Sequence, residues 1–560
     1  MFFLGLIFMW LLLLPDFYLY FKLRDLYYLV LSFFLFIYLF SIIKSSKYIF
    51  LLSPFFIAVP FYLYYISIYH THINEQILSI ILETDYQEAI DFIGYKIFIY
   101  LFFLLIWCLG CIHFFYKHYK SPLIWNHRSR LWVLVAGTLY FTLTYIVNLN
   151  LETQAERIIS APQKNDFLAE EENIYLKDLK KTYPLGLVIS ISDLIKEQKK
   201  IVFAFSKNKD FKFNATQNLN TTEKQIYILV IGETSRRYNW QLNGYPRKNN
   251  PLLNQQKNLV NLDNMLSISN ATRSSIPMIL TRKSADQVYN YNFPEKSIIS
   301  AFKEANFQTY WVSTQQKFGN FDTSTSVYAK EADQVIFLNK ANYTDAGDYD
   351  DIIIPIFKKI INQKEDKKFI VIHTLGSHYN YKHRYPDKFN IYTPSLNNLD
   401  KYSLQNKEYK QYLVNSYDNS ILFTDYVLNE LIKALEKKNE VESFLLYSSD
   451  HGEDLFDGEC GKSGHGLETK NNFEIASFIW YSNIFAANHS RKVETLIKNK
   501  GRRVNQTAIF PTLIDAANIN IPNYMFNRSI LSNFKDYPRL VLGGKDFDLA
   551  QYDGICKEIK

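Results

Sequence analysis

The sequence predicts an N-terminal helical transmembrane domain followed by an α/β sandwich domain built on a largely parallel sheet. Three observations carry this. The apolar residues, 48% of the 560, are concentrated in the first 150 positions, and the remainder reads as an ordinary polar globular sequence. Beyond residue 220, short apolar runs alternate with helical patterns, the signature of strands covered on both faces. Several of those runs end in residue types that bind metals or phosphates.

Crossing a bilayer as a helix takes about 20 apolar residues. Five stretches qualify, at 1–20, 24–43, 48–69, 92–116 and 131–149. Pro15 and Asp16 interrupt the first. A cleaved signal peptide over 1–15 is the competing reading. It lacks a basic start and a small-residue cleavage site, and apolar segments follow at once. Lys44 and Lys47 follow the second span, and Lys117, Lys120, Arg128 and Arg130 separate the fourth from the fifth. The positive-inside rule puts those loops in the cytoplasm, and the loop at 70–91 and everything after 150 on the other side. Lys22 and Arg24 lie on the wrong side in this scheme, flanked by Asp16 and Asp25. Ile73–Glu88 carries Asn74, Glu75, Gln76, Glu83, Thr84, Asp85 and Glu88 between two spans. It reads either as a head-group recognition loop or as a solvated connecting helix.

The resulting division is a transmembrane domain of five helices over 1–150, a charged linker with surface helices over 151–220, and a catalytic domain over 221–560. In the last, Gln225–Ile231, Phe369–His373, Ser443–Tyr447 and Ile475–Trp480 are apolar runs rich in β-branched and aromatic residues, and Tyr417–Lys438 is helical in pattern. The formal charge of +7 suits an anionic membrane surface and lacks the dense basic face expected of a nucleic-acid binder. Four cysteines are too few for a disulfide scaffold. Cys108 and Cys111 read as packing residues of the fourth span. Cys460 and Cys556 share an oxidising compartment and are free to pair if the fold brings them together.

In open α/β sheets, chemistry collects at the carboxyl ends of strands. The first run ends in Gly232-Glu233-Thr234. The second ends in His373 and continues to Gly376-Ser377-His378. The third leads to Asp450-His451-Gly452-Glu453, with His465-Gly466 soon after. A hydroxyl-rich turn, Asn270 to Pro277, precedes an apolar segment. Glu233, Asp450 and His451 are the carboxylate and imidazole types that hold zinc. A threonine hydroxyl is a weak nucleophile unless a cation stabilises its alkoxide, which points to Thr272. His378 and His465 then suit phosphoryl oxygens or a leaving alkoxide. Taken singly, an Asp-His pair after a strand is more often structural, and a hydroxyl-rich turn is usually a helix cap. Their order within one domain tips the balance toward a site.

These residues resemble the bacterial phosphoethanolamine transferases that modify lipopolysaccharide, whose catalytic domain has the alkaline phosphatase and sulfatase fold. The resemblance covers essentially the whole chain. It rests on Gly232-Glu233-Thr234 with Leu242-Asn243-Gly244-Tyr245, on Thr272 to Pro277 as T-x-x-S-x-P, on Asp450 to Glu453, on Gly376 to His378, on His465-Gly466 and on Ile509 to Leu513. It implies Thr272 as catalytic nucleophile and Glu233, Thr272, Asp450 and His451 as ligands of Zn2+. It also implies His378, His465, Thr84 and Glu88 as substrate-binding residues. Phosphatidylethanolamine would be the donor and lipopolysaccharide the acceptor, with a multi-pass chain in the inner membrane and the catalytic domain in the periplasm. The chain departs from the lipid A enzymes in two places. Ile268 and Met278 replace a cysteine pair around the nucleophile turn, and Ile80 stands where a loop asparagine is expected. His378 to Pro386 looks more like the branch acting on core sugars. A phosphoglycerol transferase of the lipoteichoic acid type, or a non-catalytic membrane-anchored member, are the alternatives. A sulfatase fits less well, because the C/S-x-P-x-R sequence is missing.

Overall fold

The computed structural model describes Trp10 to Ile559 apart from residues 24, 44, 70, 71, 76, 79, 80, 82–96, 123, 160–177, 218–223, 291, 292, 316–323, 340–347, 400, 401 and 526. The described chain divides into two compact units, 1–83 with 96–196, and 84–95 with 197–560.

The first unit is helical: α1 (Leu14–Leu23), α2 (Leu26–Ile43), α3 (Ser53–Tyr69), α4 (Ile97–Lys120), α5 (Ser129–Ile159) and the start of α6 (Leu185–Lys207). Three stretches among the described residues are helical, long and apolar enough to cross a membrane: Leu26–Ile43, Phe50–Ser67 and Phe102–Lys120. The stretch expected at 131–149 falls in α5, whose described apolar part, Ser129–Leu143, is shorter. Of the stretch expected at 1–20, residues 1–9 lie outside the described residues. α4 turns Phe102, Phe103, Ile106 and Leu109 outward, the reverse of a water-facing helix. Polar side chains inside such a bundle must find partners within it. Trp107 donates to Phe56 O at 2.7 Å, joining α4 to α3, and Arg130 Nε donates to Ser41 O at 2.7 Å, joining α5 to α2. The buried Asp16 carboxylate of α1 accepts Tyr183 N at 2.8 and 3.0 Å. That bond fixes the chain just before α6.

The second unit is built on seven strands: β1 (Lys224–Gly232), β2 (Leu259–Asn261), β3 (Gln308–Ser313), β4 (Gln334–Phe337), β5 (Lys367–His373), β6 (Val441–Ser449) and β7 (Ser477–Tyr481). Their order is β2-β7-β6-β1-β5-β3-β4. β7 runs antiparallel to both its neighbours, and the pairs β6·β1, β1·β5, β5·β3 and β3·β4 are parallel. The sheet is therefore largely parallel, as expected. Alternation along β1 shows how it is covered. Tyr227, Leu229 and Ile231 enter one core with α7 (Thr272–Leu280) and α10 (Ile509–Ala516). Ile226, Ile228 and Val230 enter the other, with α8 (Ile353–Ile361) and α9 (Lys410–Glu436). Three of the four apolar runs read from the sequence lie within this sheet and the fourth, Ile475–Trp480, enters it at Ser477, while the helical run at 417–438 lies in α9 except for its last two residues.

Cys460 and Cys556 form a disulfide with Cα atoms 4.7 Å apart across a sequence separation of 96, tying the C-terminal segment to the loop after β6. Closing so long a loop restricts the unfolded chain. The double substitution Cys460→Ser, Cys556→Ser is expected to lower the stability of the second unit by about 2–4 kcal/mol. Chemical denaturation checks this, and an unchanged midpoint would refute it.

Candidate functional site

The register of the central strands sets the site. Ile231 pairs with both His373 and Ser448, and Gly232 with Ser449, so β1 and β6 end at the same level and β5 one residue earlier. The next residues, Glu233, Thr374 and Asp450, leave the sheet side by side. Thr234 then turns sharply, with φ at +57°, a left-handed conformation costly for a β-branched residue. That turn aims its N–H at Asp450 Oδ1 (3.0 Å), which also accepts His451 N at 2.7 Å. Gly376 permits the second loop to close on the first. Its φ is +50°, and a Cβ there would lie 2.7 Å from Glu233 O.

Glu233, Asp450 and His451 are fully buried, with ligand atoms within 4.8 Å of one another, a group that could hold a metal ion. His451 Nε2 lies 3.3 Å from Glu233 Oε1 and 3.4 Å from Asp450 Oδ2. The other ring nitrogen faces Gly452 O at 2.9 Å, a contact that suits the tautomer with Nε2 bare. Asp450 Oδ2 has no hydrogen-bond partner among the described residues. An orphaned carboxylate oxygen in a buried cluster is what a cation would satisfy.

Thr272 is the first residue of α7, so the helix N-terminus lies at its hydroxyl. Its Oγ1 lies 3.2 and 3.3 Å from the Glu233 oxygens and 3.3 Å from His451 Nε2. The preceding turn is held by serines. Ser269 Oγ meets Ser274 Oγ at 2.5 Å, and Ser275 Oγ donates to Ser269 O at 3.3 Å. Ile268 N donates to Gln506 Oε1 at 3.1 Å, while Gln506 Nε2 donates to Asp450 O at 2.7 Å. One side chain thus fixes the turn before α7 against the loop after β6.

The charges are interdependent. Burial disfavours the charged form of His451, but Asp450 and Glu233 raise its pKa to about 10. Burial and the Glu233 charge push Asp450 up to about 7. Burial also opposes ionisation of Glu233, yet the hydrogen bond and charge of His451 hold it well below the usual carboxylate range. His378 is lowered to about 4, chiefly by burial, so its imidazole is neutral at neutral pH.

The predicted site residues therefore converge, apart from two. The His465 ring lies 4.7 Å from that of His451 and 5.7 Å from that of His378, so both histidines flank the cluster. Thr84 and Glu88 lie outside the described residues. Sequence reasoning missed two contributors and gave a third no role of its own. Gln315, just past β3, donates from Nε2 to Glu233 Oε2 (3.1 Å) and to Thr374 O (2.9 Å). Asp350 accepts Thr314 Oγ1 and the N–H groups of Leu375 and Gly376, pinning the loop that carries His378. Glu453 is buried with both oxygens unpartnered among the described residues, and His465 Nδ1 lies 3.9 Å from Oε2. Glu453 was visible as part of its motif; nothing local marked Gln315 or Asp350.

Residues 225–519 match the family model described as Sulfatase, and residues 29–152 match that described as Phosphoethanolamine transferase EptA/EptB. Phosphoethanolamine transferase EptC of Escherichia coli (strain K12) is 28% identical over 327 residues, 57% of this chain. The chain spans about half the length of such relatives, 55% in this case. The zinc complex of the C-terminal periplasmic domain of EcEptC from Escherichia coli is similar at 26% identity with a TM-score of 0.55, over 62% of this chain and 98% of that one. The integral membrane protein lipooligosaccharide phosphoethanolamine transferase A from Neisseria meningitidis shares the fold over 95% of this chain and 98% of its own, with a TM-score of 0.67 at 19% identity. The fold is thus a helical membrane domain joined to a sulfatase-like α/β domain.

Gln315 orients the Glu233 carboxylate, and where a carboxylate holds a metal, losing such an outer partner costs about 10–100-fold in affinity. Gln315→Leu is expected to weaken divalent-metal binding by that factor in competition with a chromophoric chelator, with Gln315→Glu failing to restore it. An affinity equal to the parent's would remove Gln315 from the site.

Proposed function

The chain belongs to the sulfatase family, and from that premise we propose that it is a membrane-bound, zinc-dependent phosphoethanolamine transferase working through a phosphothreonine intermediate. The observation that carries the reading is the Thr272 hydroxyl at a helix N-terminus, within 3.3 Å of Glu233 and His451. The EptA/EptB match over 29–152 supports the choice of phosphoethanolamine over sulfate, as does the missing C/S-x-P-x-R sequence.

In this reading Glu233, Asp450, His451 and Thr272 hold zinc. Bound there, the cation supplies the positive charge that favours the threonine alkoxide and balances charge on the phosphoryl oxygens. Thr272 Oγ1 gives up its proton to solvent and attacks the phosphorus of phosphatidylethanolamine, and the P–O bond to diacylglycerol breaks. His378 and His465 border the place where the phosphoryl oxygens would lie; His378 is neutral at neutral pH, so His465 is the one proposed to protonate the departing alkoxide. A hydroxyl or phosphate of lipid A or the core oligosaccharide then attacks the phosphothreonine and restores Thr272. Glu233 and Asp450 keep the ligand set anionic, while Gln315 and Gln506 hold their orientation with no part in the proton transfers.

The division proposed for the chain keeps 1–150 as a multi-pass membrane domain in the inner membrane, 151–220 as linker and 221–560 as the periplasmic catalytic domain. Thr84 and Glu88 are proposed to contact the donor head group from the loop between two spans.

Thr272→Ala is expected to abolish both the covalent intermediate and transfer, with Thr272→Ser retaining part of each. Mass spectrometry of the purified chain after incubation with phosphatidylethanolamine, and of lipid A and core separately, reads both. A phosphoglycerol-sized adduct on Thr272 would replace the donor. Normal transfer by Thr272→Ala would overturn the mechanism.

A further inference from the structure

Over Leu187–Ile195, helix α6 carries two apolar stripes, and one of them is packed. On the first, Leu187 and Leu194 are buried. Leu187 joins Phe56, Tyr62 and Ile66 of α3 in the core of the first unit, and the Ser190 hydroxyl donates to Ile73 O at 3.4 Å. With Asp16 accepting Tyr183 N, this end of α6 is held against the helices of its unit. The second stripe is Val188, Ile191 and Ile195, exposed at 42%, 41% and 47%. At 3.6 residues per turn the three fall within about 60° of one another and about 80° around the helix from Leu187 and Leu194. A helix facing water on that side would place polar residues there.

The geometry points to α6 from Val188 to Lys196 lying in the head-group zone of the bilayer, with Val188, Ile191 and Ile195 turned into the acyl boundary. This rests on the reading of α2, α3 and α4 as membrane-crossing. Three facts favour lipid over a protein partner. The stripe belongs to the same compact unit as the three apolar stretches long enough to span a membrane, and α4 likewise turns Phe102, Ile106 and Leu109 outward. Three side chains fall far short of the roughly 1,000 Å² a specific protein interface needs. Lys196, Lys199 and Lys200 follow in sequence, and an apolar row beside lysines is the pattern of an interfacial helix on anionic lipid. Lys196 is exposed and reaches Asp193 Oδ1 at 3.3 Å, leaving it at the surface of the helix.

The experiment is site-directed spin labelling of the full chain in nanodiscs of phosphatidylethanolamine and phosphatidylglycerol, in a Cys108→Ser, Cys111→Ser background that keeps the Cys460–Cys556 disulfide. Single cysteines replace Val188, Ile191, Ile195, Ser192 and Lys196, with Ile106 of α4 as a control. Labels at 188, 191 and 195 are expected to be more accessible to oxygen than to an aqueous nickel complex, with the order reversed at 192 and 196. Nickel access at all five positions, with the Ile106 label in lipid, would overturn the proposal and leave the membrane reading intact. Nickel access at Ile106 would overturn the membrane reading itself. Exclusion of both probes at 188, 191 and 195 would mean that protein covers the stripe, and would also overturn the proposal. If a labelled variant misfolds, Ile191→Trp quenched by brominated lipid gives the same answer, with unquenched fluorescence as the refuting result.

Discussion

The in-register parallel pairing of β1 with β5 and β6 is the constraint on which the site depends. Because Gly232 stands beside Ser449 and Ile231 beside His373, the residues that follow emerge within one residue of a common level. A shift of one residue in any strand would send its apolar set to the wrong face. β1 cannot absorb such a shift, since its alternate residues fill two separate cores. Packing of both faces therefore fixes the position of Glu233 relative to Asp450 more firmly than any contact between the two. The site inherits the rigidity of the sheet.

That rigidity has an electrostatic cost. Two carboxylates and an imidazole sit buried within 4.8 Å of one another, where isolated charges are strongly disfavoured. The protein offsets part of this with directed donors. Thr234 N and His451 N both serve Asp450 Oδ1, and Thr234 Oγ1 donates to Glu233 Oε1 at 2.7 Å. The donors stop short of full satisfaction. Asp450 Oδ2 has no hydrogen-bond partner among the described residues, with the His451 ring 3.4 Å away, and His451 is held as a cation by its neighbours. A cluster stabilised purely for its own sake would pair every oxygen. A bound metal would take the place of the proton on His451 and the missing partner of Asp450 at once. The arrangement is explained by what it can bind better than by what it contributes to stability.

Much of this was legible in the sequence, and the reasons differ between parts. The central strands were readable because burial on both faces makes them continuous apolar runs, and the motif residues because they follow those runs directly. The edge strands β2 and β4 were not. Leu259–Asn261 is only three residues long, and Gln334–Phe337 is partly exposed, so neither carries a distinctive apolar run. β3 was missed too, though Gln308–Ser313 is almost wholly buried, because its polar residues break the pattern. With β3 went Gln315, whose role exists only because that strand lies beside β5. Asp350 illustrates the same limit. Its partners Thr314, Leu375 and Gly376 are more than 20 residues away, and no local spacing announces them. The cysteine pair was open on sequence and is closed in the fold, since only tertiary packing brings Cys460 to Cys556.

The proposal of Thr272 as the reacting group rests on its placement more than on its type. Serine hydroxyls are plentiful in the same turn, yet Ser274 and Ser275 are committed to Ser269 and Ala271. Those bonds shape the turn and leave the first helical position to present its side chain to the Glu233 and His451 atoms. There the positive end of the α7 dipole favours developing negative charge. A threonine is also stiff about χ1, so its hydroxyl is ordered at smaller entropic cost than a serine's. Turn, helix terminus and branched side chain all act on one oxygen. That convergence distinguishes Thr272 from its neighbouring hydroxyls in a segment where they are chemically almost equivalent.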